Sequence, residues 1–137
     1  MNQLTGKIIS IESSTAMSIF DVDIDGDILS AVVLETQQSA AYLKIGERVT
    51  LAFKETEVAI AKDLAGMISL RNRVKATIKN IQEEKVLTKI TLQSKSAKIV
   101  SIISTRSSRR MNLKIGDRVE WLVKTNEMSV IKGPAND

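Results

Sequence analysis

The sequence predicts an all-β chain built as two tandem five-stranded barrels, each with one short helix between its third and fourth strands. Three observations carry that reading. The string LKIGERV at Leu43–Val49 returns 70 residues later as LKIGDRV at Leu113–Val119. The flanking segments align at the same offset without a gap. The apolar residues are mostly Ile, Val and Leu, in period-two alternation, which suits strands.

Leu4, Ile9 and Ile11 open the chain in a strand-like run over 4–13. Ala16, Ser18, Phe20, Val22 and Ile24 alternate with Asp21, Asp23 and Asp25, a strand with one polar face. Asp25-Gly26 marks a hairpin turn, and Ile28–Leu34 follows as the third strand. Thr36–Leu43, stopped at Gly46, reads as a helix of one to two turns. Val49–Phe53 and Val58–Ile60 close the first copy. The second copy repeats this order: Ile78 and Ile81, then Val86, Thr88, Ile90 and Leu92, then Ile99–Ile103. Its short helix is expected over Ser107–Leu113, and its last strands over Val119–Val123 and Met128–Ile131. Residues 61–70 form the junction, with Gly66 as a hinge, and the tail after Gly133-Pro134 is expected to fray. The modules are therefore 1–66 and 67–137. Five strands with a helix between the third and fourth is the order of an OB-type barrel.

Composition narrows the function. A lone module of this size buries a low fraction of its surface, so the copies should pack together or the chain should oligomerise. With no Cys and no His, disulfides, thiolate and imidazole metal sites, and Ser-His or Cys-His catalysis are excluded. No leader pattern and no long apolar run occur, so a cytoplasmic protein without membrane association is expected. Residues 1–66 hold five cations against ten acids; residues 67–137 hold fifteen against six. An anion would go to the basic half.

A tetrahedral dianion needs hydroxyls, backbone N–H groups and one or two cations to replace its water. The second copy offers them. Ser104 and Ser107 stand at the start of the short helix, Lys124 ends the following strand, and Ser69 and Arg71 open the module. Each also has an ordinary structural role: a helix cap for Ser104, a solvated charge for Lys124 or Arg71. Arg106, Arg109 and Arg110 add local positive charge.

The repeated module resembles the Mop domain, the molybdate-binding, TOBE-type OB module of the molbindins. Ser69-Leu70-Arg71-Asn72 resembles that family's opening Ser-Ala-Arg-Asn-Gln motif, and Asn2-Gln3-Leu4 its second half. Ser104-Thr105-Arg106-Ser107 resembles its Thr-x-x-Ser motif with Ser for Thr, and Lys124 its late lysine. The resemblance implies a site of Ser69, Arg71, Ser104, Ser107 and Lys124 for molybdate or tungstate. It implies no organic cofactor and no metal coordinated directly by protein. The first copy departs: Met1 stands for the Arg, Leu34 for the Thr and Gln37 for the Ser, which leaves Lys54 and Gln37 as a weaker second site. Storage, buffering or homeostasis of molybdenum follows, in a homo-oligomer, a trimer of tandem modules or else a dimer, with sites shared between modules or chains.

Two other functions compete. A nucleic-acid-binding OB module suits the basic half, but Phe20, Tyr42, Phe53 and Trp121 are the only aromatics and stacking platforms are lacking, so nucleic acid is not an expected partner. A ligand-free accessory module suits the altered first copy. An enzyme is not expected, since no nucleophile–base pair and no Gly-rich phosphate loop occurs. The Asp21–Asp27 alternation reads as the polar face of a strand and its turn rather than a cation site.

Overall fold

The computed structural model describes residues 1–34, 43–95 and 97–134. The first sheet contains β1 (Asn2–Ser13), β2 (Met17–Ile24), β3 (Asp27–Leu34) and β4 (Arg48–Phe53). A 3-10 turn at Glu55–Glu57 leads to β5 (Ala59–Ala61). Then come β6 (Asn72–Glu83), β7 (Leu87–Gln93), β8 (Lys98–Ser104), the helix α1 (Thr105–Arg110) and β9 (Arg118–Val123). A second 3-10 turn at Thr125–Glu127 leads to β10 (Ser129–Lys132). The helix expected over Thr36–Leu43 and the tail end at 135–137 lie outside the described residues.

The strands form two five-stranded sheets, in the orders β10-β4-β1-β2-β3 and β5-β9-β6-β7-β8. The closing strands differ from the sequence reading, which left each in its own copy. β5 pairs antiparallel with β9, Ile60 opposite Trp121, and β10 pairs antiparallel with β4, Val130 opposite Leu51. The cause lies in the connection. A tight hairpin needs left-handed residues at its turn. Lys54-Glu55-Thr56-Glu57 has none, and Lys54 and Val58 flank the 3-10 turn in extended conformation, so the chain is carried onward. The compact units are accordingly Met1, Gln3–Phe53 and Lys124–Asp137 in one, and Asn2 with Lys54–Val123 in the other, while 1–66 and 67–137 remain the repeats of sequence.

Ile8, Phe20, Val22, Leu29, Val49, Leu51 and Phe53 are fully buried in the first unit. Ile78, Ile90, Leu92, Ile99, Trp121 and Val123 are their counterparts in the second. Alternation along β1 buries Asn2, Leu4, Gly6 and Ile8 and leaves Ile9 outward, and a bulge between Ile8 and Ser10 then shifts the register against β2. β6 bulges at the corresponding place, between Ile78 and Asn80. Each bulge is locked by the repeated turn: Gly46 N donates to Ile8 O and Gly116 N to Ile78 O, both at 2.8 Å. Those glycines have φ of +95° and +93°, where a Cβ is disfavoured, and this is why the LKIG string recurs.

Candidate anion site

The second unit positions its hydroxyls through α1. The helix begins at Thr105, two residues before the expected start, because Ser104 is its N-cap: Ser107 N donates to Ser104 Oγ at 3.1 Å. It ends at Arg110, before the expected Leu113, because Asn112 enters the left-handed region at φ 51°. Ser104 Oγ also donates to Ser107 Oγ at 3.0 Å, so the structure brings these two expected ligands together at the surface. The proton of the Ser107 hydroxyl remains free to point outward.

The helix is anchored at both ends. At its start, Thr105 N donates to Val86 O at 2.8 Å and Thr105 Oγ1 donates to Glu84 O at 2.7 Å. The Thr88 and Thr105 hydroxyls meet at 2.8 Å, both buried. Beyond its end, Lys62 Nζ donates to Asn112 O at 3.1 Å and pairs with Asp117 at 3.0 Å. Arg109 pairs with Glu83, so of the three helix arginines its charge is already engaged. The hydrogen bond from Arg109 holds the Glu83 carboxyl below its ordinary value.

Among the described residues no hydrogen bond joins the remaining expected ligands to that pair. Ser69 and Arg71 lie exposed on the lead-in to β6. Lys124 is exposed directly after β9, at the start of a 3-10 turn, and is grouped with the first unit. Lys54 holds the same place after β4 and is grouped with the second. Among the described residues the side chains of Ser69, Arg71, Lys54 and Lys124 make no hydrogen bond or ion pair. Gln37 lies outside the described residues. Open concavities of about 530 and 650 Å³ are lined by none of these residues.

Sequence reasoning overlooked several structural supports. Asn2 is buried, and its side chain clamps Val100, donating to the carbonyl at 2.8 Å and accepting from the N–H at 2.9 Å. Its repeat partner Asn72 is also buried. Lys62 has its repeat partner in Lys132. A polar residue preserved at an offset of 70 was the available signal. The acidic strand face is structural, as expected: Asp21 accepts from Ser30 Oγ, and Asp23 accepts from Gly26 N at 2.8 Å. Among the described residues no group of His, Cys, Asp and Glu is arranged to hold a metal ion, and no helix is long and apolar enough to cross a membrane.

Comparison with known proteins gives the same architecture. The TOBE domain model matches twice, over residues 1–60 and 68–130. The chain is similar in structure to the cytoplasmic molybdate-binding protein ModG in a molybdate-bound form, with a TM-score of 0.91 at 22% identity over 96% of both chains. That likeness shows the fold, two tandem OB-type modules. A molybdate-binding protein from Sporomusa ovata is 39% identical over 49% of this chain and all of its own, with a TM-score of 0.48. No curated protein matches in sequence.

Proposed function

The chain belongs to the TOBE-domain family, and from that premise we propose that it binds molybdate, with tungstate as the alternative ion, for cytoplasmic storage, buffering or homeostasis of molybdenum. The observation that carries this reading is the exposed Ser104–Ser107 hydroxyl pair beside a sequence that also supplies unpaired cations at Arg71 and Lys124. A −2 oxyanion leaves water only where charge and donors replace its hydration. Arg71 and Lys124 neutralise charge, Arg71 as a planar fork and Lys124 as a point charge. Ser69, Ser104 and Ser107 orient the oxygens, with Ser107 donating its free proton. The N–H of Ser107 is already engaged by Ser104, so hydroxyls and cations carry the recognition. ModG and the Sporomusa ovata protein, both described as molybdate-binding, support the choice of ion.

Binding of this kind needs no catalysis, and we read the chain as a binding protein rather than an enzyme. Phe20, Phe53 and Trp121 are each 1% exposed, which removes them as stacking platforms for nucleic acid. Lys54 and Gln37 form the weaker second site of the first copy. The chain acts as a homo-oligomer, a trimer of tandem modules or else a dimer. Exposed Met17, Ile19 and Leu34 on β2 and β3 support self-association, since soluble proteins rarely leave such faces uncovered.

Lys124→Ala tests the site. Removing a charge-assisted contact should weaken molybdate binding by about tenfold or more in titration calorimetry. Wild-type affinity in that variant would remove Lys124 from the site.

A further inference from the structure

The two residues that present hydroxyls in the second unit, Ser104 and Ser107, flank a third that does not face solvent. Thr105 is 3% exposed and Thr88, beneath it, is fully buried. Three hydrogen bonds hold Thr105: its N–H to Val86 O, its hydroxyl to Glu84 O, and a hydroxyl contact with Thr88 at 2.8 Å. Thr105 has one hydroxyl proton, and Glu84 O takes it. The proton between the two threonines therefore belongs to Thr88. All three bonds fix the backbone from which Ser104 and Ser107 project.

A buried hydroxyl pair is a costly way to fill space, because each hydroxyl must give up water and find a directed partner. Valine would fill nearly the same volume without that demand. What the hydroxyls add is direction. The sequence of the first copy differs at these positions. At the position of Thr105 it has Glu35, and at that of Thr88 it has Ser18, whose hydroxyl turns to Ser13 instead. The same copy has Leu34 and Gln37 in place of Ser104 and Ser107. The hydroxyl at the Thr105 position and the two ligand hydroxyls are present together in the second copy and replaced together in the first, where a buried hydroxyl remains only at the Thr88 position, as Ser18.

We infer that Thr105, braced by Thr88, is a positioning residue for the oxyanion site: it sets the spacing of the Ser104 and Ser107 hydroxyls and so the site's preference among tetrahedral oxyanions. This inference rests on the oxyanion reading of those two serines. Molybdate and sulfate share charge and shape but differ in bond length, so a fixed pair of donors distinguishes them, whereas a loosened pair does not.

The test is titration calorimetry of the 137-residue wild-type chain, Thr105→Val, Thr105→Ser and Thr88→Val with molybdate and with sulfate, each variant checked for folding by circular dichroism. Thr105→Val should lose about tenfold in molybdate affinity and lower the molybdate-to-sulfate ratio. Thr105→Ser, which keeps the hydroxyl, should stay within about threefold of wild type, and Thr88→Val should fall between them. A destabilised but otherwise intact site would keep its ratio. A folded Thr105→Val with wild-type affinity and ratio overturns the inference while leaving the oxyanion reading intact. If Thr105→Val fails to fold, an unchanged ratio in Thr88→Val overturns it. Absence of molybdate heat from the wild type itself sinks the oxyanion reading, and this inference with it.

Discussion

Gly6 shows what a single position decides. A Cβ there would lie 2.3 Å from Asp23 O and 2.9 Å from the side chains of Val22 and Ile24. At the matching place in the second copy stands Ala76, 7% exposed and accommodated. Two copies of one module therefore differ in how closely β1 and β2 approach. Gly6→Ala should destabilise the protein by about 1–3 kcal/mol through overpacking against backbone. A fall in the urea midpoint at unchanged slope would register it, and an unchanged midpoint would contradict the packing. Single residues were unevenly legible. Gly46 and Gly116 declared themselves through the repeated LKIG string. Thr105 and Asn2 did not, because a buried polar side chain reads like a surface one until its partners are known.

At the scale of elements, ion pairs tie the second unit's strands to each other and to the turn that follows its helix. Arg73 on β6 grips Glu120 on β9 with two bonds and also donates to Leu64 O. The Arg73 hydrogen bond holds the Glu120 carboxyl below its ordinary 4.5. The Lys114 backbone N–H, and after it Lys62, hold Asp117 below 3.8. A carboxyl whose folded value is depressed adds stability above its ordinary value and loses it as pH falls through the lowered one. Thermal melts should accordingly hold steady from neutral pH to about 4.5 and then decline. Arg73→Met should shallow that decline, modestly, because the pair is solvent-screened. A melting temperature independent of pH down to 3 would contradict the assignment. The strands themselves were readable from alternation. The bulges at Ile8 and Ile78 were not, since one extra residue shifts the period without changing composition. The helix boundaries moved for equally local reasons, the Ser104 cap at its start and left-handed Asn112 beyond its end.

For the whole molecule, the tandem repeat and the five-strand order were open to reading in the sequence, and the destination of the closing strands was not. β5 and β10 present equivalent patterns to equivalent edges, so alternation gives no preference between the two sheets. The Glu55–Glu57 connection is a 3-10 turn without a left-handed residue, so it lacks the geometry of a two-residue hairpin that would fold β5 directly back on β4. The candidate site divides along the same line. The Ser104–Ser107 pair follows from a cap that the sequence suggests, whereas Arg71, Ser69 and Lys124 lie on other segments, and strand patterns carry no information about which segments share a site. The proposed role of the chain is to hold a tetrahedral oxyanion. Titration calorimetry of the wild-type chain with molybdate, with sulfate as control, tests it most directly. Micromolar or tighter molybdate binding, one strong site per chain, and little response to sulfate are expected. No molybdate heat and no thermal stabilisation by molybdate would contradict it.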